Sequence, residues 1–133
     1  MTLDQRHLDA DVLAAMYREA IEASECIAKE EKIEVAWKTI WRIQPFPFHP
    51  KLIDLGEAAI KETCGVTHRL PSGPLHDAAE VCRTGTPTVM LFVQSLHGIS
   101  HNKIEDTKEQ HLALSVRALD RLADKTIDWI IAS

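Results

Sequence analysis

Between residues 9 and 32, apolar side chains recur every three or four positions, at Val12, Met16, Ala20, Ala23 and Ile27, with Glu19, Glu22, Glu25 and Glu30 between them. That spacing predicts an amphipathic helix. Asp9 or Asp11 would cap its start, where a carboxylate also complements the helix dipole. The period then changes to two. Ile33, Val35, Trp37, Thr39, Trp41 and Ile43 fall on one side, with Glu34, Lys38, Arg42 and Gln44 on the other, which predicts a strand with one apolar face. Pro45, Pro47 and Pro50 end it, because proline donates no hydrogen bond and restricts the residue before it. Residues 45–50 therefore read as an extended connector and a subdomain boundary.

After the connector the pattern alternates again. Residues 51–63 predict a second helix with Leu52, Leu55, Ala59 and Ile60 inward and Gly65 as C-cap. Residues 66–70 suit a short strand, 71–74 a turn, and 76–83 a short helix opening on Asp77. Residues 88–93 (Thr-Val-Met-Leu-Phe-Val) form an unbroken apolar run, as expected of an interior strand covered on both faces. Residues 94–106 read as loop, and 107–130 as a closing helix carrying Leu112, Val116, Leu119, Ala123, Ile127 and Ile130. With residues 2–6 as a first short strand, the order predicts an α/β architecture of helices packed on a sheet. The strands lack enough partners among themselves. The chain reads as a piece of something larger or as a protomer that pairs with another copy.

Composition narrows the function classes. The 133 residues are 45% hydrophobic and 26% charged, which excludes disorder and a coiled coil. A net charge of −5 argues against nucleic acid and anionic membranes as partners. No apolar run approaches the ~18 residues of a membrane span, and the first five residues are not a signal peptide. Cys26, Cys64 and Cys82 are odd in number and form no CxxC pair, so reduced thiols in the cytoplasm are expected.

Two loops lie where open α/β folds place ligands, beyond the carboxyl ends of strands. The first is Leu70-Pro71-Ser72-Gly73-Pro74-Leu75-His76-Asp77-Ala78, whose following helix start could offer backbone N–H groups to an anion. The second is Ser95-Leu96-His97-Gly98-Ile99-Ser100-His101-Asn102, where His101 could serve a metal or a proton. Ordinary loop chemistry accounts for both stretches equally well. His97 and His101 have the spacing of a helical metal pair, but Gly98 argues against a helix there. His7-Leu8-Asp9 contains a His-x-Asp triplet but leads into the first helix and reads as surface and cap; His49, His68 and His111 lack supporting neighbours, and Trp37 and Trp41 suit sheet-face packing.

Three ordered stretches carry a resemblance: Ser72-Gly73-Pro74-Leu75-His76-Asp77-Ala78, then Met90-Leu91-Phe92-Val93, then Gly98-Ile99-Ser100-His101-Asn102 with Glu105. Together they resemble the C-terminal part of the M20-type amidohydrolases, in the branch of N-carbamoyl-L-amino-acid hydrolases, β-ureidopropionases and allantoate amidohydrolases. Asp4-Gln5-Arg6-His7 is similar to that family's Asp-x-Arg strand, and Pro45-Phe46-Pro47-Phe48 to its return from a lid domain. The resemblance implies that residues 1–45 end a lid and dimerisation domain (strand, helix, strand). Residues 46–133 would then be the last part of a metallo-amidohydrolase catalytic domain. It implies hydrolysis of linear ureido or amide C–N bonds of small molecules, two divalent metals (zinc or manganese) and a homo-oligomer. His101 would be this segment's metal ligand, with Glu105 as the partner of its ring. Arg6 would grip a substrate carboxylate, for which a bidentate guanidinium is suited, and Leu75 and His76 would lie along the substrate.

The chain also departs from the pattern. Pro74-Leu75 replaces the usual Ala-Gly, and the family's earlier metal-ligand motifs, a His-x-Asp loop, paired glutamates and a further histidine, have no counterpart here. One ligand cannot hold a dinuclear centre, so the chain alone is expected to be inactive. The rival expectations are a non-catalytic dimerising or scaffold module derived from such an enzyme, and a self-contained metal site built from His76, His97 and His101 across a dimer.

Overall fold

The computed structural model describes residues 1–132, which divide into two compact units, 1–46 and 47 onward. Four α-helices and one 3-10 turn are formed: α1 (Ala10–Glu31), α2 (Pro50–Cys64), α3 (Asp77–Arg83), the turn Leu96–Gly98, and α4 (Glu109–Ile131). The helices fall where the apolar periodicity put them, to within two residues at each end. No strand occurs among the described residues.

The first unit is built on α1. Asp9 is its N-cap, with extended backbone and a carboxylate that accepts from the N–H groups of Asp11 and Val12, at 2.8 and 3.1 Å. The helix stops at Lys32, which turns left-handed (φ 55°) while its N–H bonds to the Ala28 carbonyl. Residues 33–46 form neither helix nor strand. Trp37 folds back so that its Nε1–H donates to Ser24 Oγ (2.8 Å) and its ring meets Tyr17 edge-on at 5.9 Å. Gln5 is tied in by donating to the Met16 carbonyl (3.0 Å).

In the second unit α2 packs on α4. Pro50 sits in the first turn of α2, where its missing N–H costs nothing, and Gly65 caps the far end at φ 79°. The buried positions are Leu52, Gly56 and Ala59 on α2 and Ala118 and Leu122 on α4. Gly56 leaves the room that the Leu91, Val89 and Leu122 side chains fill. Lys125 reaches Glu62 (2.6 Å) across the same helix pair, and His49 lies against the Trp129 ring at 5.4 Å.

The expected sheet is the main correction. Residues 2–6, 33–43, 66–70 and 88–93 have strand patterns but no strand ladder, since a strand draws its hydrogen bonds from neighbours. The run at 88–93 was expected to be interior. Instead Phe92 and Val93 are exposed, and Thr88 gives its carbonyl to His49 N–H (3.1 Å). On α4 the apolar residues Leu112, Val116, Leu119, Ile127 and Ile130 are all exposed, while Ala118 and Leu122 are buried. Leu55 and Ile60 are half-buried beside the fully inward Leu52 and Ala59.

Two outcomes follow from these contacts. Leu122→Ala empties the centre of the α2–α4 contact and should cost about 2–3 kcal/mol, read as a lower urea midpoint. Hydrogen bonds from the Val12 and Asp11 amides hold the Asp9 carboxyl below its usual value. Its stabilisation is therefore complete above the unfolded carboxylate pKa of ~3.9 and is lost as pH falls through the lower native value. Circular dichroism should show α1 loosening on acidification below about pH 4, and Asp9→Asn should remove that step.

Candidate functional site

The second unit carries two irregular loops, and each is fixed by its own hydrogen bonds. In the first, Ser72 Oγ–H donates to the Pro74 carbonyl (2.7 Å), closing a tight turn. The chain then passes through exposed Leu75 to His76, the extended N-cap of α3. The His76 ring does not cap the helix; its carbonyl accepts from Ala79 N–H at 2.9 Å. Asp77 and Glu80 lie in the first turn of α3. The Glu80 carboxylate pairs with Arg83 at 3.1 Å, one turn along the helix.

The second loop is closed at its base by Leu96 N–H donating to the Asp106 carbonyl (2.7 Å). Within it, His97, Gly98 and His101 all adopt left-handed backbone, at φ 58°, 68° and 57°. For a residue with a Cβ this costs on the order of 1–3 kcal/mol, so the surroundings must impose it. At His101 they do. The backbone N–H of His101 donates to Glu105 Oε2 (2.7 Å), Glu105 N–H donates to the Asn102 carbonyl (2.9 Å), and Asn102 Oδ1 accepts from Ile104 N–H (3.2 Å). The expectation that Glu105 would partner the His101 ring is corrected: it binds the backbone amide, while ring Nδ1 lies 3.3 Å from Ser100 Oγ.

These two loops bring His76 and His101 together, with ring centroids 6.2 Å apart and planes at 62°. His101 is exposed and His76 half-buried; Leu75 neighbours His76 in the chain. Arg6 belongs to the first unit. There it forks onto Asp4, with Nε 3.1 Å from Oδ1 and Nη2 2.6 Å from Oδ2. The hydrogen bond from Arg6 is the larger reason that the Asp4 carboxyl lies below its ordinary value, with the charge of Arg6 adding to it. His97 sits exposed in the 3-10 turn. The left-handed histidines were not foreseen from sequence. The available signal was histidine's tolerance of that region next to a glycine.

Among the described residues, no group of three or more His, Cys, Asp or Glu side chains could hold a metal ion. Two imidazoles do not make a catalytic zinc site, which takes three protein ligands. The residues present therefore do not by themselves fit a divalent centre. No helix among the described residues is long and apolar enough to cross a membrane.

Comparison with known proteins agrees with the motif order. Residues 3–125 match the model of peptidase family M20/M25/M40. The chain is 32% identical over 122 residues to an allantoate amidohydrolase of Escherichia coli (strain K12), covering 89% of this chain and 28% of that protein. It is 30% identical to an allantoate amidohydrolase of Bacillus subtilis (strain 168), covering 93% and 30%. It is 27% identical to an N-carbamoyl-L-amino acid amidohydrolase of Geobacillus stearothermophilus, covering 88% and 28%. The chain thus spans less than a third of the length of these relatives. No solved structure matches it significantly.

Proposed function

Because this chain belongs to peptidase family M20/M25/M40, we propose that it is the C-terminal segment of an amidohydrolase that cleaves linear ureido or amide C–N bonds, in allantoate or N-carbamoyl amino acids. The observation that carries this reading is the meeting of two family-like loops at one place, His76 and His101 with ring centroids 6.2 Å apart, in a chain whose relatives are named for those substrates. Residues 1–45 would end a lid and dimerisation domain, and 46–133 would complete the catalytic domain. The stretches 33–43 and 88–93 would become strands by pairing with the remainder of the enzyme. M20 enzymes generally use divalent metals. His101 would be this segment's one ligand, and the other ligands would come from outside it.

The chain's own residues have definable tasks in that setting. Arg6 would exchange the Asp4 carboxylate for the substrate's, keeping the same forked geometry. Leu75 and His76 would lie along the substrate, with the Leu75 side chain narrowing the space available to it. His101, exposed and held by its loop, would present its imidazole toward the reacting bond. A second reading, a non-catalytic dimerising module derived from such an enzyme, draws support from Pro74-Leu75 and from the lack of a metal-holding group among the described residues.

The test is a chimera in which this chain replaces the aligned segment of the Escherichia coli relative. It should hydrolyse allantoate or an N-carbamoyl amino acid, and His101→Ala should lower turnover by more than ~100-fold, beyond the loss typical of an outer-shell residue. Arg6→Lys should raise KM by roughly 10-fold or more, through the loss of a charge-assisted fork. A folded chimera that lacks hydrolysis would support the dimerising module instead. The 133-residue chain alone should show no turnover of either substrate class; turnover abolished by a chelator would overturn the segment reading.

A further inference from the structure

We infer that Glu105 is the positioning residue of the candidate site, acting on His101 through the backbone rather than through its ring. The inference rests on the reading of His101 as the segment's functional imidazole. Its evidence is geometric. His101 stands in left-handed backbone at φ 57°, a conformation uncommon for a residue with a Cβ, though histidine enters it more readily than most. The Glu105 carboxylate accepts from the His101 N–H at 2.7 Å, a charge-assisted bond. Glu105 is in turn fixed by donating its own N–H to the Asn102 carbonyl at 2.9 Å. The Asn102 side chain takes the Ile104 N–H at 3.2 Å, so the turn between the two residues is tied at successive points.

The consequence is directional. With its backbone turned left-handed, His101 presents its ring toward His76; with ordinary negative φ, the same side chain would leave from the other side of the chain. Glu105 therefore selects which way the imidazole faces. Its carboxylate needs only to accept a hydrogen bond, so glutamine can substitute for it and alanine cannot.

Nuclear magnetic resonance on the 133-residue chain tests this without any turnover. In the native chain, the His101 amide should be protected from exchange, its HN–Hα coupling should report positive φ, and His76 and His101 ring protons should share a nuclear Overhauser effect. Glu105→Ala should abolish all three while the amide pattern of α2 and α4 stays intact, and Glu105→Gln should restore them. Glu105→Ala leaving the three signals unchanged, Glu105→Gln failing as completely as alanine, or a native chain without the protected amide would each overturn the inference. In the active chimera, Glu105→Ala should lower turnover ~10–100-fold, with recovery in Glu105→Gln. An inactive chimera whose native resonance signals are present would overturn the hydrolase reading and leave the positioning of His101 by Glu105 standing.

Discussion

A β-strand cannot satisfy its own backbone, and most of what is unusual in this protein follows from that constraint. Helices close their hydrogen bonds internally, so α1, α2, α3 and α4 form wherever the local sequence favours them. Strands take their partners from neighbouring segments. Residues 33–43 and 88–93 have the composition of strands but form no ladder. The same shortage appears in the side chains. Among the described residues of the second unit, the buried hydrophobics are Leu52, Ala59, Ala118 and Leu122, while Phe92, Val93 and the outward stripe of α4 are exposed. Exposed apolar patches are a common mark of interaction surfaces. A chain spanning less than a third of its relatives' length is where such uncovered surface is expected.

On the proposed reading, the site is incomplete in the same sense. Two loops from different parts of the second unit bring His76 and His101 together, and local hydrogen bonds hold both loops without help from a sheet. Each loop's own shape is set by short-range contacts, the Ser72 turn in one and the Asn102–Glu105 turn in the other, while the approach of the two rings is a contact between segments distant in the chain. Two imidazoles can orient a group or contribute to a centre, but they cannot constitute one.

Legibility from sequence divided along this line between local and non-local interactions. Asp9 at the start of α1 and Gly65 at the end of α2 were readable because caps depend on a few adjacent residues. Which face of α4 turns inward was not legible. Its most regular apolar stripe, Leu112 to Ile130, faces outward, and the face against α2 is set by small Ala118 and by Leu122 packing near Gly56. Periodicity finds an apolar face but not the partner it meets. The residues at the site were found through motif resemblance. The role of Glu105 was not found there, because a side chain binding a backbone amide leaves no trace in spacing, and the left-handed turn at His101 is visible only in three dimensions.

If the chain is one segment of a larger catalytic unit, its ligand set is insufficient alone, and metal content exposes that most directly. The measurement is elemental analysis by mass spectrometry together with molar mass by light scattering, on protein purified without chelator. Metal-free protein, whatever its oligomeric state, is the predicted result. A dimer carrying zinc or manganese in near-stoichiometric amount would contradict it, since two copies would then be rebuilding a complete site from the residues of this chain.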